Sequence, residues 1–163
     1  MMAIRSAEVS TRKLAIAADH AGAALKAALL NELQTIAPDW EGIDLGGDGS
    51  DLTDDYPDAS RAVAELMQRG GAERGLLICG SGIGVTIAAN KFNGIRASIA
   101  HDPASAEQGV VHDAMNVLSL GAKVIDPATA ATVLAAFLTA TPSDAERFVR
   151  RTSKVQQIEK EQG

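Results

Sequence analysis

Apolar positions along the chain follow two alternating rhythms. Short unbroken runs at residues 13–18 (KLAIAA), 76–79 and 95–100 read as strands, and helical spacing fills the intervals. Leu25, Leu29, Leu33 and Ile36 fall at i, i+4, i+8 and i+11, one stripe of an amphipathic helix. Residues 40–45 read as a second strand, and 46–57 (GGDGSDLTDDYP) as an acidic, turn-rich loop. Ala59, Ala62, Val63, Leu66 and Met67 resume the helical spacing until Gly70-Gly71 ends it. A glycine turn spans Gly80 to Gly84, and 85–91 reads as helix. Asp102 is a predicted N-cap, with Pro103 at the first helical position. Residues 116–120 and 123–125 are strand-like. Pro127 opens a helix that turns Val133, Leu134, Phe137 and Leu138 inward. Ser143 and Glu146 have capping-box spacing for a last helix. It carries Phe148, Thr152, Val155 and Ile158 on one face and Arg147, Arg150, Arg151 and Lys154 in the adjoining row.

Strand and helix therefore alternate about five times, and strands without polar alternation belong in a parallel sheet covered on both faces. The prediction is a doubly wound, three-layer α/β domain. Ligands of such sheets bind beyond the carboxyl ends of the strands. That rule singles out Asp19-His20, Cys79-Gly80-Ser81-Gly82 and His101-Asp102. The length of 163 residues suits one domain, expected over 13–163. Residues 1–12 (MMAIRSAEVSTR) lack the apolar region of a secretory signal and are expected to be a disordered extension.

Composition narrows the partners. Apolar residues at 46% and charged residues at 22% are ordinary for a soluble globular protein. A net charge of −6 argues against nucleic acid held by bulk electrostatics. The longest apolar stretches, such as 128–140, are too short and interrupted to span a membrane, so a cytoplasmic protein is expected. One cysteine makes neither an intrachain disulfide nor a multi-thiolate zinc site. The carboxylates Asp44, Asp48, Asp51, Asp54, Asp55 and Asp58 miss the calcium-loop spacing and read as a solvated loop. Neither metal nor cofactor is expected.

The segment Gly80-x-Gly82-x-Gly84 follows an apolar strand and opens a helix, so its N–H groups can gather around an anion. It is not a dinucleotide fingerprint, because Val85 stands where the third glycine belongs, and no P-loop Gly-Lys-Ser/Thr follows. Three glycines within five residues, beside the only thiol, favour a site over a bare turn. Cys79 ends the strand just before a helix N-terminus, a setting that favours a thiolate. A thiolate serves as nucleophile or as proton-abstracting base, and the sequence leaves both open. Any one of His20, His101 and His112, taken alone, reads as structural. Arg147 and Arg151 stand one helical turn apart and share a face, which suits the bidentate geometry of a phosphate.

Several stretches recur together in one known family: Ala18-Asp19-His20-Ala21-Gly22, Asp55-Tyr56-Pro57, Ile78-Cys79-Gly80-Ser81-Gly82-Ile83-Gly84 and Ala88-Ala89-Asn90-Lys91. Gly94-Ile95-Arg96-Ala97, His112, Asn116-Val117-Leu118 and the arginines from Arg147 to Arg151 follow in order. From about Lys13 to Glu161 the chain resembles ribose-5-phosphate isomerase B, in the group that includes the galactose-6-phosphate isomerase subunits. The resemblance implies a three-layer αβα Rossmann-like sandwich, with a five-stranded, mostly parallel sheet and a C-terminal helix. It implies a homodimer, which could pair into a tetramer, with active sites at the subunit interface. The implied reaction is metal-free aldose–ketose isomerisation of a sugar phosphate, ribose 5-phosphate first. By the resemblance, His112 assists ring opening and Cys79 moves a proton between C1 and C2. Ser81 and the amides of Gly80, Gly82 and Gly84 stabilise the oxyanion, and Asp19 positions the sugar. His20, Arg147 and Arg151 contact the sugar end or its phosphate, and Tyr56, Asn116 and Lys123 join them in binding substrate.

Three positions depart from the family pattern. Val110 replaces an arginine two residues before His112, Asp113-Ala114 follow that histidine, and Lys123 replaces another arginine. An altered sugar pocket, a tetrose or hexose phosphate substrate, or a non-catalytic sugar-phosphate binding module are the alternatives these positions raise.

Overall fold

The computed structural model describes residues 11–163. Strands β1 (Arg12–Ala18), β2 (Trp40–Asp44), β3 (Arg74–Cys79), β4 (Ala97–Ile99) and β5 (Val117–Gly121) pair in parallel throughout, in the order β2-β1-β3-β5-β4. Helices α1 (Ala23–Ile36), α2 (Tyr56–Gln68), α3 (Ile83–Ala89) and α4 (Pro103–Asp113) connect successive strands, and α5 (Pro127–Thr139) and α6 (Glu146–Gln162) follow β5. This is the α/β, Rossmann-like sandwich that the resemblance implied.

Alternation along each strand decides which helix covers which face. Leu14, Ile16, Leu76, Ile78, Leu118 and Leu120 pack with Leu25 and Leu29 of α1, Val110 of α4 and Val133, Leu134 and Phe137 of α5. Ala15, Ala17, Leu77, Cys79 and Val117 pack on the other side with Val63 and Ala64 of α2 and Val85 and Ala89 of α3. From the neighbours β1 and β3 the connections run in opposite directions, β1 to the edge strand β2 and β3 to the edge strand β4. Such a switch point opens a crevice at the carboxyl ends of the two strands. Asp19-His20 and Cys79-Gly80 leave the sheet there.

Both predicted proline helix starts form, at Pro103 behind the expected cap Asp102 and at Pro127 behind a second aspartate, Asp126. Asp102 accepts from Ser105 N at 2.8 Å and Asp126 from Thr129 N at 3.0 Å. The Ser105 and Thr129 hydroxyls, then the backbone N–H groups, hold both carboxyls below the usual aspartate range. Gly70, at φ 77°, and Gly71 close α2 by donating to Met67 O and Leu66 O.

Three local expectations need correcting. Residues 123–125 are a turn and not a strand: Lys123 N donates to Gly80 O at 3.0 Å, and Val124 and Ile125 N both donate to Gly121 O. These bonds close the chain back onto the ends of β3 and β5, leaving no edge to pair. The Ser143–Glu146 capping box does not form. Ser143 N is drawn to Val111 O at 3.0 Å, Ser143 Oγ accepts from Ala145 N, and extended Ala145 precedes the first helical residue, Glu146. The expected extension, 1–12, lies outside the described residues except at 11 and 12, and Arg12 already belongs to β1, paired with Trp40.

Arg74 shows how one buried charge ties the sheet to a helix end. Its guanidinium donates to Phe137 O and to Ala140 O at the C-terminus of α5, and lies over the rings of Phe137 (5.0 Å) and Trp40 (5.6 Å). Burial pushes its pKa down to about 10. Arg74→Met keeps the apolar stem but orphans two carbonyls. It is expected to lower the urea midpoint by an amount worth about 2–4 kcal/mol with the slope unchanged.

Candidate active site

The crevice between β1 and β3 holds a cavity of about 450 Å³ lined by Asp19, Ala21, Tyr56, Cys79, Gly80, Ser81, Gly84, Lys123 and Val124. Cys79 is only 5% exposed and packs into the core on the α2–α3 side of the sheet, yet it also lines this cavity. The Gly82 N–H donates to Sγ at 3.1 Å. That aim depends on Gly82, which takes φ 80° and leaves a Cβ only 3.0 Å from the Leu120 carbonyl carbon. Gly84 is needed for a different reason: a Cβ there would stand 2.8 Å from the Tyr56 ring. The ring of Tyr56, the first residue of α2, therefore lies against the glycine turn and walls the cleft.

The other side chains are fixed from several elements. Asp19 is buried, and its Oδ1 accepts from Gly22 N at 3.1 Å. The exposed Ser81 accepts from Ile83 N at 3.2 Å through Oγ. Lys123, placed by the 121–125 turn, lays its alkyl chain over Gly80. His20 meets Asp54, whose Oδ1 accepts from the ring Nδ1 at 2.6 Å. This bond comes first, and the charges of Asp54 and Asp19 add to it; together they raise the His20 pKa against opposing desolvation and Lys123. The sequence alone places Asp54 in a solvated acidic loop, because its contact with a residue 34 positions away leaves no periodic mark. Asp48 and Asp51 do serve local turns, accepting from Ser50 N and Thr53 N. His101 stands behind the glycine turn, its Nε2 accepting from Gly121 N at 3.0 Å.

His20 and Gly82 adjoin this cavity in the chain without lining it, and His112, Asn116, Arg147 and Arg151 are not brought to it. The α4 helix starts beyond the carboxyl end of β4 and delivers His112 in its last turn, just before β5 begins. Its 11 residues cover roughly 16 Å, the depth of the sheet. His112 thus lies at the amino ends of the strands, opposite the carboxyl end where Cys79 stands. There its ring stacks on Phe148 at 4.2 Å, and the Arg147 and Arg151 guanidiniums lie 4.6 and 5.9 Å from the same ring. Asn116 stitches that end together, accepting from Arg96 N at 2.7 Å and donating to Gly94 O at 2.8 Å. Val110 is fully buried in the core beside α5, so it touches no ligand. The larger cavity, about 850 Å³ and lined by residues such as Arg96, Met115, Val155 and Glu159, contains neither the thiol nor a histidine.

Comparison with known proteins agrees with this geometry. The family model described as Ribose/Galactose Isomerase matches residues 14–158. The putative sugar phosphate isomerase YwlF of Bacillus subtilis is 40% identical over 150 residues, covering 90% of this chain and 97% of the relative. D-erythrulose-4-phosphate isomerase 2 of Mycolicibacterium smegmatis is 43% identical over 113 residues, 69% of this chain and 74% of the relative. The structure of Trypanosoma brucei type B ribose 5-phosphate isomerase superposes with a TM-score of 0.85 at 36% identity, covering 91% of this chain and 99% of that one. Fold, cleft and sequence lead to one conclusion: the chain belongs to the ribose/galactose isomerase family.

Proposed function

We propose that the protein interconverts the aldose and ketose forms of a sugar phosphate, with ribose 5-phosphate and ribulose 5-phosphate as the first pair. The observation that carries this reading is Cys79, which lines the cleft with Asp19, Ser81 and Lys123 and whose Sγ accepts the Gly82 N–H. As a thiolate it takes the proton from C2 of the opened aldose. The electron pair moves into an enediolate, the carbon-bound proton returns to C1, and the O2 hydroxyl gives up its proton as O1 gains one, which leaves the carbonyl at C2. Charge builds on the former carbonyl oxygen, where Ser81 and the Gly80 to Gly84 amides act as donors. Asp19 holds the sugar hydroxyls. No step calls for a metal or a redox cofactor, because hydrogen moves as a proton between adjacent carbons.

The acting unit is a homodimer. His112, Arg147 and Arg151 sit at the opposite end of the strands from Cys79, so a second copy supplies them to the cleft. Around the cleft Ile83, Ile87 and Val124 are exposed, and on α6 Val149, Val155 and Ile158 are exposed, apolar surface that such a copy would cover. In the completed site the partner's His112 protonates the ring oxygen as its bond to C1 breaks, and the anomeric hydroxyl gives up its proton to form the C1 carbonyl. The arginine pair grips the phosphate and holds C1 and C2 against the sulfur.

A tetrose phosphate is the second reading, favoured by Lys123 in the cleft wall and by the erythrulose-phosphate relative. Chemistry separates the two. A four-carbon aldose phosphorylated at O4 has no hydroxyl left to close a five-membered ring, so it needs no ring opening. NMR of C4, C5 and C6 aldose and ketose phosphates in deuterated water reports turnover and deuterium uptake together. With a pentose substrate, His112→Ala is expected to lower turnover about 10²-fold or more; with a tetrose the loss is expected to stay within about threefold. Saturable binding without turnover or exchange across the panel would make the protein a binding module.

A further inference from the structure

Asp54 Oδ1 accepts twice from His20, from its backbone N–H at 2.9 Å and from its ring Nδ1 at 2.6 Å. A carboxylate on Nδ1 fixes that nitrogen as the proton-bearing one and leaves Nε2 as the ring atom free for a ligand. Asp54 is itself held in place. The loop after β2 is strapped to α1 by Lys26, whose buried ammonium donates to Asp44 Oδ1 at 2.5 Å and Gly46 O at 2.9 Å. Gly47, at φ 80°, packs so closely on the Ala18 carbonyl that no side chain fits between them. The loop thus lies against the end of β1, which carries His20.

We propose that Asp54 is a positioning residue that keeps His20 an oriented imidazolium, a charged N–H donor to the phosphate group of the substrate. The proposal rests on the sugar-phosphate reading of the cleft. A neutral sugar hydroxyl needs no cation, whereas a phosphate dianion gains from each charged donor it meets. Asp54, Asp19, Lys123 and, across the loop, Asp51 are the charged groups that act on His20. Of these only Asp54 touches the ring. As the pH rises through the raised His20 pKa, the donor is lost; removing the Asp54 charge brings that loss to lower pH.

Asp54→Asn retains an oxygen that can accept from His20 N–H but removes the charge. The test follows the His20 ring nitrogens by NMR across pH in the full-length protein, with and without inorganic phosphate, and measures KM and kcat for the best substrate. In the variant the His20 midpoint is expected to fall and its response to phosphate to shrink. At a pH between the two measured midpoints KM is expected to rise about tenfold while kcat stays within about twofold, the mark of lost uniform binding. Asp51→Asn disturbs the same loop without touching the ring, and is expected to leave the midpoint and KM close to those of the parent. An unchanged midpoint or KM in Asp54→Asn, equal losses in Asp51→Asn, or no effect of phosphate on His20 in the parent would each overturn the proposal. The titration needs no turnover. If no sugar phosphate is converted, the isomerase reading fails while the His20–Asp54 pair is still decided by the phosphate titration.

Discussion

Cys79→Ala is expected to reduce isomerisation by about 10³–10⁴-fold and to remove deuterium exchange at C2 by the same factor. Little else should change. The side chain lost is small, and the strand, the glycine turn and Tyr56 that frame it are held by other bonds, so a stability loss of about 1 kcal/mol is expected. Circular dichroism and sedimentation should match the parent protein. Cys79→Ser is expected to be nearly as inactive, because an alcohol is a far weaker acid than a thiol and holds no useful anion at neutral pH. Substrate affinity should survive in both variants, since the phosphate is gripped elsewhere; a fall in kcat with KM nearly constant is the expected signature. Undiminished exchange in Cys79→Ala would transfer the base role away from sulfur, with Asp19 the carboxylate in the same wall.

The second large effect is a recovery of activity. Under the proposed dimeric site, Arg147→Ala/Arg151→Ala leaves the Cys79 wall intact but removes the phosphate grip, and Cys79→Ala does the reverse. Each homodimer is expected to turn over at under about 1% of the parental rate. Unfolding and refolding the two together should produce mixed dimers in which one of the two clefts has both intact halves. With random pairing half the dimers are mixed and half their clefts are whole, so the mixture should regain about a quarter of parental activity. This outcome does not depend on the carbon count of the sugar, because every candidate carries the phosphate. No recovery, with mixed dimers demonstrated by mass, would mean that each cleft is completed within one chain. The placement of His112 and Cys79 at opposite ends of the strands argues against that.

Much of the site was legible because its elements are local. The apolar run of β1, the Leu25, Leu29 and Leu33 stripe, and the two proline helix starts each declare themselves within a few residues, and all form. Cys79 at a strand end before a glycine turn located the cleft for the same reason. Errors arose where local preference met a tertiary demand. Val124 and Ile125 are good strand formers, yet their N–H groups close a turn on Gly121 O. Ser143 has the spacing for a cap, yet its backbone is claimed by Val111. Val110 departs from the family pattern but lies in the core, so it says nothing about the sugar.

What the sequence determined by itself is the order of strands and helices, the thiol beside its glycine turn, and the pair of arginines one helical turn apart. These depend on spacing along the chain, and spacing is all that a hydrophobic period or a turn requires. The tertiary structure alone decided which groups meet. Asp54 reaches His20 because the loop after β2 folds back over β1. His112 stands away from Cys79 because α4 carries it across the full depth of the sheet. Contacts between residues distant in sequence are set by the direction of the strands and the packing of helices on them, and no short stretch of chain encodes that.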